Sequence, residues 1–446
     1  MSCNKTILHI TTHLGGGVGK VVTNYLKKSK THSKFAHTIA SLDYINEEAK
    51  EILTGIKIDY NDKLHLDIPK LMQMIQTQDI ILIHWWNHPL MYEFLVKYTL
   101  PKSRVLIWSH ISGLHEPSNF TKPLFDYADK FIFTTPISLK TDIIKKLTQK
   151  NQQKLSTIWS TGGLKHVKKI RHKQHKGFNV GYIGTVDYSK LHRDFLDIST
   201  KIDIKDIQFI VCGGDDEKNI KQEAMDKNIS EKFKFTGKVS NIKEYLSLFD
   251  VFGYPLSPYH YGTCDQALAE AMACGIVPVV FDNPMEKYMV KHNKTGLVVK
   301  NNLEYNNAIK ELYSNKKLRE RLSRKAKKEA FKRFSLKNMI KQWEKTFEKS
   351  LNIKKTIKKW KSQYQGLNST YFQIFIESTG KKGIYFENMI FSEDIMIKNK
   401  AEKKIKKMMQ KSHSWDSKTK GTLNHYLCFF KDENLDKLNT LLNKNT

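Results

Sequence analysis

In the first part of the chain, short apolar runs alternate with longer polar or amphipathic stretches. Thr6–Ile10, Ala36–Ala40, Ile80–His84, Arg104–Ser109 and Lys130–Thr134 have the length and branched or aromatic character of buried strands. The connections between them are long enough for helices. That rhythm predicts an α/β fold with a parallel sheet covered on both faces.

The rhythm breaks at Thr161–Lys176. Here Lys165, His166, Lys168, Lys169, Arg171, His172, Lys173, His175 and Lys176 crowd together without an acid, as in a domain linker. A second series follows, with strands expected at Phe178–Ile183, Ile207–Cys212, Lys232–Phe235, Val251–Tyr254, Ile276–Val280 and Gly296–Val299. Helices are expected at Ile242–Phe249 and Asp265–Cys274. Residues 301–350 read as basic helix with an apolar stripe through Leu312, Leu318, Leu322, Phe331, Phe334, Met339, Trp343 and Phe347. Beyond them the α/β rhythm stops. Tyr371–Ile376, Gly383–Phe386 and Asn424–Phe430 look strand-like, and Ile395–Met409 looks like a lysine-rich helix.

Composition narrows the class. Over 446 residues, 40% are hydrophobic and 11% aromatic, enough for a folded core and too much for a disordered chain. No apolar run is long enough to span a bilayer, and Ile7–Ile10 is too short for a secretory signal. A cytoplasmic protein is expected, with a place at the inner face of the membrane open to it. The 75 Lys and Arg against 45 Asp and Glu give a net charge of +30. That suits an anionic partner or surface, although lysine is abundant everywhere in the chain. Lys20, Lys27, Lys28, Lys30 and Lys34 gather in and after the first helical stretch, where they could meet anionic lipid peripherally or a polyanionic acceptor. No nucleic-acid-binding signature appears, so nucleic acid is a weaker alternative. Cys3, Cys212, Cys264, Cys274 and Cys428 form no metal or disulfide pattern, and Cys264 and Cys274 read as small buried hydrophobes rather than nucleophiles.

Two segments carry candidate chemistry. The first is His13-Leu14-Gly15-Gly16-Gly17-Val18-Gly19-Lys20, directly after the first strand. Its glycines permit a tight turn and close approach to an oxygen-rich ligand, and a helix start offers free N–H groups to phosphate. Val21 after Lys20 departs from a Walker A loop, and the third glycine of a dinucleotide fingerprint is missing. A tight turn alone is the other reading.

The second segment is Tyr259–Val280. Thr263 or Asp265 can cap a helix that starts at the carboxyl edge of the sheet. Glu270 lies among small apolar residues in that helix. A buried carboxylate needs a partner, and a ribose with two hydroxyls is one; an internal pairing is the alternative.

The run Ala269-Glu270-Ala271-Met272-Ala273-Cys274-Gly275-Ile276-Val277-Pro278-Val279-Val280 resembles the hallmark of glycosyltransferase family 4 (glycosyl transferases group 1). Gly181-Tyr182-Ile183-Gly184, Val211-Cys212-Gly213-Gly214, Phe235–Val239 and Lys294–Val299 resemble family segments in the same order. The resemblance spans about residues 5–349. It implies a GT-B fold of two facing Rossmann-like domains: residues 1–172 on the acceptor side and 177–349 binding the nucleotide sugar. Residues 350–446 are then a C-terminal extension without assigned chemistry.

The implied enzyme is a retaining, metal-independent glycosyltransferase of the EC 2.4 class. It would move a sugar from a nucleotide-sugar donor, UDP-sugar favoured, to a glycan, lipid-linked or polysaccharide acceptor. The donor is a cosubstrate, and no permanent cofactor or metal ligand is implied. The same resemblance gives His110 a place near the sugar and assigns Lys190, with Arg193 as a substitute cation, to the diphosphate. It sets the Gly15, Gly16 and Gly17 amides toward the donor and Glu270 on the ribose. Of the family's two glutamates seven positions apart, Glu270 is the second and the first is Gly262. That contact is then lost or moved to Asp265, His260 or a backbone amide, with Gly262 and Thr263 among the donor-binding positions. The family's arginine after Gly184 is Thr185. These departures open a third reading, a binding scaffold without catalysis. His84, Trp85, Trp86 and His88 cluster at a strand end, where an aromatic face could stack on an acceptor sugar.

Overall fold

A computed structural model describes residues 5–31, 33–117, 119–214, 217–364, 370–415 and 417–443. Cys3 and Asp416 lie outside them. The chain divides into two compact units, residues 1–162 with 337–446, and residues 163–336.

The first unit contains β1 (Lys5–Thr11), β2 (Phe35–Ser41), β3 (Tyr60–Asn61), β4 (Ile80–Trp85), β5 (Leu100–Ser103), β6 (Val105–Ser109), β7 (Lys130–Phe133) and β8 (Leu155–Thr157). Seven of them form one sheet in the order β3-β2-β1-β4-β6-β7-β8. Its pairings are parallel, with Ile7 beside Ile80 and Ile81 beside Val105. Every residue of β4 and β6 is buried, as a parallel strand covered on both faces requires. Strand order reverses between β1 and β4, so the crevice beyond their carboxyl ends is where such a sheet binds ligands.

The second unit repeats the plan with β9 (Phe178–Ile183), β10 (Ile207–Cys212), β11 (Phe233–Phe235), β12 (Val251–Tyr254), β13 (Val277–Phe281) and β14 (Leu297–Val299). The order β11-β10-β9-β12-β13-β14 reverses between β9 and β12. The loops after those two strands are tied together: Ser257 N–H donates to the Lys190 carbonyl at 2.8 Å and His192 N–H to the Pro255 carbonyl at 2.9 Å. Gly213, at φ +151°, packs so closely that a Cβ there would lie 1.7 Å from the Gly184 carbonyl oxygen. Only glycine keeps that turn. The basic stretch from Lys165 to Lys176 lies within this unit, where His172 and His175 approach Asp250 at 3.4 and 3.3 Å.

Helix Leu336–Ser350 carries the expected stripe onto the first unit. Trp343 packs on Trp108 at 4.8 Å between ring centroids, and Phe347 on Phe35 at 5.4 Å. The chain then adds β15 (Thr356–Lys358), antiparallel to β5. Trp360 packs on Tyr92 and Tyr127, and its N–H donates to the fully buried Glu377 at 3.0 Å. Phe372, Phe375, Phe386, Tyr426 and Leu438 join the same core as Trp85 and Phe94. The described part of residues 350–443 thus adds side chains to the core of the first unit.

The three tail strands expected from the sequence are helices: Tyr371–Ser378, Gly383–Phe391 and Leu423–Leu427. A short, mostly apolar run is too brief for its period to tell helix from strand. The start signals were present in Thr370 and Thr422. Their hydroxyls accept the N–H groups of Gln373 and His425 at 3.2 and 3.0 Å, as N-caps do. The lysine-rich helix is found as Ile395–Gln410.

Candidate functional site

In the second unit Lys190, Asp265 and Gly262, three of the expected residues, gather where strand order reverses. The turn after β9 carries Lys190, 8% exposed, and the loop after β12 carries Asp265. Lys190 Nζ lies 3.1 Å from Asp265 Oδ1 and 5.5 Å from the Tyr254 ring centroid. Burial pulls the ammonium toward neutrality. Asp265, with Tyr182 and Tyr261, more than offsets it and holds Lys190 above the usual lysine range. Asp265 stands at the N-cap of helix Gln266–Cys274 without capping it, its carboxylate serving Lys190 instead. A fixed, buried ammonium at a sheet's carboxyl edge can hold a diphosphate and stabilise the negative charge of a departing one.

Gly262 and Thr263 sit beside this pair. Gly262 N–H donates to His260 Nδ1 at 3.0 Å, which leaves the proton on Nε2 facing Glu286 at 3.0 Å. Burial lowers the His260 pKa, but Glu286 overcomes that and raises it. A Cβ at position 262 would meet His260 Nδ1 at 2.9 Å and Asp265 Oδ2 at 3.2 Å. The glycine at the family's first glutamate position is therefore matched to its surroundings. Thr185 Oγ1 lies 3.0 Å from the Tyr261 hydroxyl.

Glu270 is 1% exposed. Its Oε1 accepts from His166 Nε2 at 2.9 Å and from Gln266 Nε2 at 3.1 Å, so an internal pairing is present. His166, which supplies it, had been read only as part of a basic stretch. Arg193 is exposed, lies 4.3 Å over the Tyr188 ring and reaches Glu223 at 3.7 Å. Burial pushes the Cys212 thiol up to about 11 and the Cys274 thiol to about 12, and raises Cys264 further. These thiols are not nucleophiles at neutral pH.

In the first unit, helix Gly16–Ser29 begins directly after the β1 turn, with Gly15 extended at its N-cap and no side-chain cap. Gly16 has φ +57°, and a Cβ on Gly16 or Gly17 would meet nothing within 4 Å. Both glycines are exposed, with no acidic residue in the helix's first turn, as an anion-receiving helix start requires. Around this turn lies an aromatic rim. His13 stacks on Tyr44 at 5.1 Å and meets Trp86 edge-on at 5.0 Å; Trp86 lies 6.1 Å from His110. Trp85 belongs to the core, T-shaped against Tyr92, so Trp86 is the tryptophan at the rim. His88 packs on His425 at 4.6 Å, which brings a tail residue to the rim that the sequence did not assign there.

Seven histidines of this unit are shifted in the same direction. Burial lowers His37 and His13 to about 4 and His110 and His425 to about 3, and lowers His9, His84 and His88 well below the usual value. The sequence suggested no metal ligands. Among the described residues one group of ligand type forms: His172, His175 and Asp250, with ligand atoms within 4.8 Å of one another.

Comparison with known proteins places this geometry. The fold is that of GT-B glycosyltransferases, with two Rossmann-like units. A glycosyltransferase from Rickettsia africae superposes with TM-score 0.63 at 14% identity, covering 78% of this chain and 99% of that one. Anabaena Alr3699/HepE in complex with UDP-glucose gives TM-score 0.61 at 16% identity, covering 77% and 99%. An S. aureus TarM mutant in complex with fondaparinux, alpha-GlcNAc-glycerol and UDP gives 0.51 at 18% identity, covering 67% and 61%. Residues 165–329 match the family model described as Glycosyl transferases group 1. A search of the curated proteins finds no match.

Proposed function

We propose that the protein is a retaining, metal-independent glycosyltransferase that moves a sugar from a UDP-sugar to a glycan, lipid-linked or polysaccharide acceptor. The buried Lys190 beside Asp265, inside the segment that matches the family, carries this reading. Residues 177–349 would bind the nucleotide sugar. Lys190 would hold the diphosphate, Arg193 would be a second cation, and Glu270 would hold the ribose. Gly262, Thr263 and Asp265 would line the donor sugar. In residues 1–172, His110 would face the sugar, and the Gly15, Gly16 and Gly17 amides would face its anionic part. Residues 350–446 would support the rim through His425. Neighbours solved with UDP and UDP-glucose favour uridine as the base, and the neighbour holding fondaparinux favours a glycan acceptor.

No helix among the described residues is long and apolar enough to cross a membrane. Peripheral contact with anionic lipid has two supports. Lys27 and Lys28 are exposed on helix Gly16–Ser29. On the tail, Phe391, Ile395 and Met396 are 55%, 65% and 77% exposed beside exposed Lys400, Lys403, Lys404 and Lys407.

Nucleotide release from a panel of sugar nucleotides, with wild type beside Glu270→Ala, tests the reading. Release from a UDP-sugar, lost in the mutant, is expected; no release from any donor, with or without membrane extract or oligosaccharide, would contradict it. The internal partners of Glu270 support one other reading, a sugar-nucleotide-binding scaffold without catalysis. Binding of UDP without turnover of any donor would select it.

A further inference from the structure

Four histidines cross the first sheet in a diagonal row. His37 lies on β2, His9 on β1, His84 on β4, and His110 directly after β6. The register pairs Ile7 with His37, Leu82 with His9 and Trp108 with His84. Each histidine in the order 37, 9, 84, 110 therefore sits two residues further along its strand than the residue opposite its predecessor. A step of two keeps all four side chains on one face. Their rings form a continuous chain. His110 Nε2 lies 3.0 Å from His84 Nδ1, His84 Nε2 3.0 Å from His9 Nδ1, and His9 Nε2 2.9 Å from His37 Nδ1. His37 Nε2 lies 3.3 Å from Ser33 Oγ, and Ser33 Oγ donates to Glu344 Oε1 at 2.8 Å.

The protons of this chain can be assigned from its end. Glu344 Oε2 accepts from Lys34 N–H at 3.2 Å, and a carboxylate only accepts. Ser33 has one hydroxyl proton, committed to Glu344, and its oxygen also accepts from Phe35 N–H at 3.0 Å. Toward His37 the serine must therefore accept, so His37 carries its proton on Nε2. A neutral imidazole has one N–H, so Nδ1 of His37 accepts from His9 Nε2–H. The same step repeats to His84 and His110. His110 ends with its proton on Nε2 and a bare Nδ1, to which no hydrogen bond runs among the described residues. Burial keeps the four rings neutral, so the chain has no charged resting form to break the sequence.

We propose that Glu344 is a positioning residue for His110: through Ser33, His37, His9 and His84 it fixes the tautomer in which His110 offers an unprotonated Nδ1 to a hydroxyl of the donor sugar. The sugar part rests on the function proposed above; the tautomer does not. Lacking the chain, His110 could turn either nitrogen outward and would meet a hydroxyl as donor as readily as acceptor.

Glu344→Gln reverses the chain by one group. The amide oxygen keeps the Lys34 N–H, the amide nitrogen donates to Ser33, and the serine proton turns to His37 Nε2. The test uses full-length protein labelled with 15N-histidine and long-range proton–nitrogen spectra, in which protonated and bare ring nitrogens are well separated. His110→Asn identifies the His110 signals. The expected wild-type result is a protonated Nε2 and a bare Nδ1 on His110. In Glu344→Gln the proton moves to Nδ1, and in Ser33→Ala the two tautomers mix. A wild-type His110 protonated on Nδ1, or a tautomer indifferent to both substitutions, overturns the proposal. Donor turnover is read on the same samples, and a fall of about tenfold to a hundredfold is expected in Glu344→Gln. If the tautomer switches while turnover is unchanged, the relay stands and the placement of His110 at the sugar fails.

Discussion

The two units share a sheet plan and use their most buried histidines in opposite ways. In the first unit His9, His84, His88 and His425 are buried and His13, His37 and His110 partly buried, against one another or among aromatic rings, and burial lowers the pKa of all seven. In the second, His260 is buried against Glu286, and although burial lowers its pKa, Glu286 more than offsets that and raises it, while Lys190 is paired with Asp265. One unit thus presents uncharged hydrogen-bonding groups suited to sugar hydroxyls. The other holds a fixed cation suited to a diphosphate.

The largest effect should follow removal of the cation. Lys190→Met is expected to lower donor turnover by about a hundredfold to a thousandfold, the scale for losing a charge-stabilising group. It also leaves Asp265 buried without its ammonium, so a thermal melt must accompany the kinetics. Turnover within a few-fold of wild type in a folded Lys190→Met protein would remove the cation from the account.

Restoring the family's glutamate gives a smaller effect of unexpected sign. Gly262→Glu should destabilise the second unit by about 1–3 kcal/mol, because the new side chain crowds a histidine locked to Glu286 and adds a carboxylate beside Asp265. Denaturant unfolding reads it. A gain in both stability and turnover would mean that the glycine is a defect rather than a fit.

Acid should separate the units next. Those seven histidines of the first unit have folded pKa values below the unfolded value of about 6.5, so the unfolded chain binds more protons between the two. Their stabilising contribution is complete above about 6.5 and is lost as pH falls toward the folded values of about 4 and about 3. The His260 contribution runs the other way, being complete below the unfolded value and lost as pH rises through its raised folded value. Hydrogen exchange at pH 7 and pH 5 should show the first unit loosening more than the second. Equal loosening would contradict the contrast.

The smallest expected effect is none. A chelator should leave turnover unchanged. If turnover falls, and a divalent ion restores it in wild type but not in His172→Ala, the His172–His175–Asp250 group is a metal centre.

Most of the α/β plan was legible because parallel strands buried on both faces appear as unbroken apolar runs. The Rossmann-like strands appear near their expected positions for that reason. The tail was not legible as helices, since Tyr371–Ser378 is too short to show a clear period and only the Thr370 cap marked its start. Lys190, Asp265 and Glu270 could be singled out, but not their partners. His166 reaches Glu270 across 104 residues of sequence, and Lys190 reaches Asp265 across 75. The histidine row was equally hidden. His9 and His37 look unremarkable in their strands until the parallel register sets them side by side.

The central claim is that the second unit binds a uridine diphosphate sugar at the point where its strand order reverses. Hydrogen exchange of the wild-type protein with and without UDP tests it most directly. The account predicts slowed exchange in the segments around Gly184–Lys190 and Gly262–Glu270, reduced in Lys190→Met. Unchanged exchange in both segments at saturating UDP, or protection confined to the first unit, would contradict it.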